Sequence, residues 1–337
     1  MTAAPLGVNL VACEEHRMSA FTNRTVRSNG ITMAIRDEGT GPAVVLCHGF
    51  PELAHSWRHQ MPALAAAGFR AIAPDQRGYG GTDRPADVTA YDMANLTADL
   101  VGILDALDVE RAVFVGHDWG GLIVWQMPLL HPTRTAGVIG VNTPYFPRAF
   151  AQPTAIFRQL FGDNYYVCHF QQPAVADAAL GSDPRKVFTQ LMRRGVPIAQ
   201  VEARMAAAQR MPNMVEMVFE NEPLGEPLLS EDDLRVYVDT FERTGFTGGI
   251  NWYRNLDRNW EVTPELDGAR IFVPSLMVTA EWDPVLRAEM AEPMRGYCDD
   301  LEIHTIPECG HWTQQEKPAE LNAIMIDWLR RRFGTHA

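Results

Sequence analysis

Residues 116–120 read Gly-His-Asp-Trp-Gly, the small-x-nucleophile-x-small pattern of a strand-to-helix nucleophile elbow. The occupant of such a turn is usually serine; here it is Asp118. A serine that attacked a saturated carbon would form an ether, which water does not easily cleave. A carboxylate forms an ester, which water hydrolyses at its carbonyl. Asp118 therefore points to substrates with an electrophilic alkyl carbon, such as epoxides or alkyl halides, and away from esters and amides.

An elbow needs an orienting acid and a histidine, in that chain order. Thr279-Ala280-Glu281-Trp282-Asp283 ends a strand-like run with a carboxylate, and Glu308-Cys309-Gly310-His311-Trp312 puts a histidine on a loop before the last helix. Each residue has an ordinary alternative. Asp118 resembles a helix N-cap and Asp283, before Pro284, a turn residue. His311 alone would pass as a structural loop histidine. Taken together in this order, the three read as nucleophile, orienting acid and base.

The elements that must position them follow a parallel α/β rhythm. Val44–Cys47, Arg70–Ala73, Ala112–Val115 and Gly137–Val141 read as buried strands, with helices over 91–107 and 121–130. Residues from about 146 to 267 are helix-like, with proline breaks. Strand patterns resume at Ile271–Val273, Leu276–Val278 and Leu301–His304, and a last helix follows Lys317-Pro318. The expected division is an N-terminal tail at 1–27, one α/β core at 28–145 and 268–337, and a helical cap at 146–267 inserted after the sixth strand.

Composition narrows the class. The 337 residues carry a net charge of −13, which disfavours nucleic-acid binding. Five scattered cysteines without a CxxC point away from a disulfide framework and fit a cytoplasmic location. No apolar run is long enough to span a membrane. Leu10–Cys13 is faintly like a lipoprotein cleavage site, but no basic residue or long apolar run precedes Cys13 within a signal-like segment. His55 and His59, spaced i, i+4, lack the further ligands of a zinc site. Gly78, Gly80 and Gly81 read as a structural loop rather than a dinucleotide fingerprint, and His48 as support for its turn.

Seven motifs are now in view: HGFPE at 48–52, DQRGYGGTDRP at 75–85, GHDWGG at 116–121, FQQP at 170–173, NWYRN at 251–255, TAEWD at 279–283 and ECGHW at 308–312. In this order, from about residue 30 to the C-terminus, the chain resembles the soluble-type epoxide hydrolases of the α/β-hydrolase fold. The resemblance implies a mostly parallel sheet flanked by helices, with a helical cap. It implies Asp118 as nucleophile, His311 as base, Asp283 as its orienting acid, and the backbone N–H groups of Phe50 and Trp119 as the oxyanion hole. Two cap tyrosines would protonate the epoxide oxygen, a task that suits a phenol of pKa about 10. NWYRN supplies Tyr253, and alignment on Phe170 supplies Tyr166, with Tyr165 adjacent. His169 stands where a tyrosine is common in the family.

Phe50, Trp119, Tyr166 and Tyr253 would contact substrate. The implied partners are a small epoxide and water, with no metal or organic cofactor. The isomer of the Phe50-Pro51 peptide and the oligomeric state stay open. Competing readings are a haloalkane dehalogenase, which shares the Asp nucleophile but needs N–H donors for a halide, and a catalytically silent carrier of hydrophobic ligands.

Overall fold

The computed structural model describes residues 22–208 and 212–334. Eight strands form one sheet: β1 (Thr22–Ser28), β2 (Ile31–Glu38), β3 (Ala43–Cys47), β4 (Arg70–Pro74), β5 (Ala112–His117), β6 (Thr135–Val141), β7 (Ser275–Ala280) and β8 (Leu301–Ile306). Their order is β1-β2-β4-β3-β5-β6-β7-β8. β2 runs antiparallel to β1 and β4, and the other pairings are parallel.

The central strands are continuous apolar runs because both faces are covered. In β3, Val44 and Leu46 join a core under the helices Gln60–Ala66 and Pro318–Phe333. Val45 and Cys47 face the opposite core, under Met93–Ala106 and Trp119–Leu130. Fully burying one such side chain contributes about 1.5–3 kcal/mol. Local signals set the helix ends. The Asp92 carboxylate caps Met93–Ala106 by accepting from Asn95 N–H, and Ser230 caps Glu231–Thr244, which stops at Gly245 with φ +65°.

Between β6 and β7 the described residues form helices, from Pro153–Phe161 to the short turn Pro264–Leu266, with one isolated bridge between Arg193 and Pro227. This is the cap insertion after the sixth strand.

Two expectations need correction. Strand β1 begins at Thr22, within the span read as a tail. Its first four residues are exposed and polar, so no alternation marked it as a strand. Residues 1–21, including Leu10–Cys13, lie outside the described residues. Ile271–Val273 is not a strand: only Ile271 bridges, to Cys298, Phe272 is 70% exposed, and Pro274 has no N–H for a ladder, so β7 begins at Ser275. No helix of the described residues is long and apolar enough to cross a membrane.

Candidate active site

Strand β5 delivers Asp118 to the elbow. Its backbone sits at φ +51°, ψ −120°, a region that L-residues enter only when their surroundings force them to. The flanking glycines explain how the turn closes. A Cβ on Gly116 would strike the Gly120 carbonyl, and one on Gly120 would strike the Cys47 carbonyl. Thr143 donates its hydroxyl to the Asp118 carbonyl at 2.8 Å. The helix-cap alternative fails, because the Asp118 side chain makes no cap hydrogen bond to the helix it precedes.

The Asp118 carboxylate faces three groups instead. Phe50 N–H donates to Oδ1 at 2.7 Å, and the adjacent Trp119 N–H favours the charged form of the same carboxylate. His311 Nε2 stands 3.8 Å from Oδ2. The peptide between Phe50 and Pro51 is cis. Burial pushes the Asp118 carboxyl above its usual range, against the opposing pull of His311, His117 and the two amides.

Asp283 and His311 meet as the motif order requires. His311 Nδ1 donates to Asp283 Oδ2 at 2.8 Å, which fixes the tautomer and leaves Nε2 toward Asp118. Asp283 also serves the turn it was weighed as: Oδ1 accepts from Val285 and Leu286 N–H, while Asn142 donates to Oδ2 at 2.8 Å. Burial pushes the Asp283 carboxyl up, but His311 and these hydrogen bonds outweigh it and hold it below the usual range. Burial pushes the His311 imidazole down. Asp283, Asp118 and Glu52 outweigh that and raise it to about 9.

The cap brings Tyr166 and Tyr253 together beside the elbow residue Trp119. Their rings lie 5.8 Å apart, and Tyr253 packs on Trp119 at 4.9 Å, Phe170 at 5.0 Å and Phe50 at 5.4 Å. Burial drives both phenols well above the usual range, and the Asp118 charge pushes the same way in each. Tyr165 differs: burial raises it too, but Asp118 is not among the causes, and its ring packs outward on Phe161 at 4.7 Å and Phe157 at 5.6 Å. The geometry thus favours Tyr166 over its neighbour.

Known proteins resemble this chain over most of its length. Residues 42–318 match the alpha/beta hydrolase fold family. Epoxide hydrolase A of Mycobacterium tuberculosis is 47% identical, over 93% of this chain and 98% of that protein. The chain belongs to the soluble-type epoxide hydrolases of the α/β-hydrolase fold. The crystal structure of Epoxide Hydrolase A from Mycobacterium thermoresistibile is 44% identical, with a TM-score of 0.86 over 92% of this chain and 98% of that one. Bifunctional epoxide hydrolase 2 of Rattus norvegicus is 40% identical over 89% of this chain, which spans only 54% of that longer protein.

Sequence reasoning missed part of the support that this epoxide hydrolase builds around its triad. His117, beside the nucleophile, has Nδ1 2.8 Å from Glu52 Oε2 and Nε2 2.7 Å from the His311 carbonyl. The ring thus bridges the Glu52 carboxylate and the backbone of the base. Both side chains are fully buried. Glu52 also accepts from Gly49 N–H and Gln314. Burial pushes its carboxyl up, but the charge and hydrogen bond of His117 outweigh it and hold it at about 2. HGFPE and GHDWGG contained both residues, but only the fold reveals their contact.

On the cap side, Arg254 donates to the Phe170 and Gln172 carbonyls and pairs with Asp177 at 2.6 Å. Gln171 donates to the Tyr253 carbonyl. These bonds lace the NWYRN helix to the FQQP segment.

The remaining candidates find structural places. His48 Nε2 accepts from Gln76 N–H at 3.0 Å, and its Nδ1–H donates to the Gly49 carbonyl. His55 Nε2 bonds Asp233 of the cap at 2.7 Å. Gly78, with φ +93°, meets Gly248 of the cap so closely that a Cβ would clash, and Asp75 accepts from Gly81 N–H. Trp252 is buried and donates to the Arg77 carbonyl.

Proposed function

We propose that this protein converts an epoxide to a vicinal diol through an ester on Asp118. The observation that carries the reading is a pair of phenols, Tyr253 buried and Tyr166 half-buried, packed together beside a carboxylate that the Phe50 amide bonds and an oriented histidine faces. A halide leaves without a proton, so paired phenols fit an alkoxide leaving group better.

In the first half, an Asp118 oxygen attacks a ring carbon. The C–O ester bond forms, the ring C–O bond breaks, and its electron pair stays on the epoxide oxygen. Tyr166 and Tyr253 hold that oxygen and supply its proton. Negative charge leaves Asp118 and arrives beside the phenols, so the field that raised their pKa weakens as the donation is needed.

The same loss of charge acts on His311. Asp118 is one of the groups that hold the imidazole proton, and an ester holds it less. The imidazolium gives its proton back to the phenolate and becomes a neutral base. In the second half His311 takes a proton from water, and the hydroxide attacks the Asp118 ester carbonyl. The N–H groups of Phe50 and Trp119 receive the oxyanion. Collapse releases the diol, which carries away an Asp118 oxygen and recovers the proton from His311. No step in this scheme calls for a metal or organic cofactor. We place the enzyme in the cytoplasm on its cysteine pattern; Cys47, Cys168, Cys298 and Cys309 are free thiols.

The test is diol formation from a simple aryl epoxide by the purified protein beside Asp118→Ala. Diol from the parent and only background from the variant supports the reading. Equal diol from both contradicts it.

A further inference from the structure

Glu316 ends the short helix Thr313–Glu316, five residues after His311, and is 8% exposed. Its carboxylate accepts backbone N–H groups from two regions of the chain. Gly195, in the cap between the helices Pro184–Leu191 and Ile198–Ala207, donates to Oε1 at 3.0 Å and Oε2 at 3.2 Å. Gly310, the residue before His311, donates to Oε2 at 3.0 Å.

The two glycines meet backbone to backbone. A Cβ on Gly195 would lie 2.5 Å from both N and Cα of Gly310, and one on Gly310 would lie 2.6 Å from Gly195 Cα. Neither side of this seam admits a side chain. On the other side of His311, Trp312 donates its indole N–H to the Leu191 carbonyl of the cap at 2.7 Å. The base thus sits between two residues that are both tied to the cap.

We propose that Glu316 is a positioning residue for the hydrolysis half of the reaction. It clamps the cap at Gly195 to the Gly310–His311 turn and so sets the reach of the imidazole to the ester. This rests on the two-step reading above. The alkylation half uses Asp118 on its elbow and phenols on cap helices that Glu316 does not touch. The hydrolysis half depends on His311 Nε2, which stands 3.8 Å from Asp118 and must share that space with a water. A displacement well under 1 Å matters at such a separation.

The experiment separates the two steps. The parent, Glu316→Ala, Glu316→Gln and Gly195→Ala are mixed with a limiting aryl epoxide, quenched over time, and analysed by intact-protein mass and diol yield. In Glu316→Ala, ester hydrolysis should slow about tenfold or more while alkylation changes less than about threefold, so the alkyl-enzyme accumulates. Glu316→Gln keeps the shape and one acceptor oxygen and should recover part of the loss. Gly195→Ala, made on the cap side, should reproduce the accumulation, and it decides the matter if Glu316→Ala does not fold.

Parallel losses in both steps, or unchanged kinetics in folded variants, would overturn the proposal. A parent that forms neither ester nor diol would instead overturn the reading on which it rests.

Discussion

The core and the cap each hold half of the site, by different means. The core fixes its groups by hydrogen bonds at the ends of strands. Asp118 is locked by a strained turn, the Phe50 amide and Thr143; His311 is held by Asp283 through its ring and by His117 through its carbonyl. The cap holds Tyr253 mainly by ring packing on Phe50, Trp119, Phe170 and Tyr166. Hydrogen bonds demand a particular atom at a particular place, whereas ring packing tolerates changes of shape. The core half is therefore committed to one chemistry, and the cap half is where the fit to a given epoxide is set.

The sharpest probe of the core half is His311→Gln. It should leave alkylation in place and slow ester hydrolysis by about 10²–10⁴-fold, the usual worth of a general base. Mass spectrometry should find the alkyl-enzyme. Equal loss of both steps would put His311 in the wrong half of the mechanism.

Glu52→Gln tests the support beneath. It breaks the fully buried Glu52–His117 pair, and losing one partner of such a pair costs about 3–5 kcal/mol, readable as a lower urea midpoint. A midpoint like that of the parent would mean that the pairing does not support the fold.

The cap half should respond more gently and more selectively. Tyr253→Phe and Tyr166→Phe each remove one donor to the leaving oxygen and should slow alkylation by about 10²-fold. Tyr165→Phe should cost less than either. A larger loss from Tyr165→Phe than from Tyr166→Phe would exchange their roles.

The smallest expected effect is on pH dependence. His311 is raised from 6.5 to about 9 in the folded protein. The stability it contributes is complete below 6.5 and is lost as pH rises through about 9. Urea midpoints measured across that interval should fall, and His311→Gln should flatten the fall. In the alkyl-enzyme, without the Asp118 anion, hydrolysis should gain its base with an apparent pKa below 9.

The legibility of the sequence follows the same division. The triad was readable because a carboxylate in an elbow, an acid at a strand end and a histidine on the last loop each leave a local mark. Phe50 and Trp119 were placed as amide donors by the resemblance alone, and Phe50 N–H does meet Asp118. Glu52 and His117 lie within quoted motifs, yet their pairing is a contact across the fold. Tyr165 and Tyr166 were adjacent phenols until the helix Tyr166–His169 turned one inward. β1 escaped notice because an exposed edge strand carries polar residues on both faces. Ile271–Val273 misled because apolar type alone does not say which residues a ladder will accept.

The central claim is the ester on Asp118, and one measurement addresses it directly. With enzyme in excess over an aryl epoxide in water enriched in heavy oxygen, a single turnover should give diol without label, and the label should appear in the Asp118 peptide. Heavy oxygen in the first-turnover diol would mean that water attacks the epoxide itself, and would contradict the account.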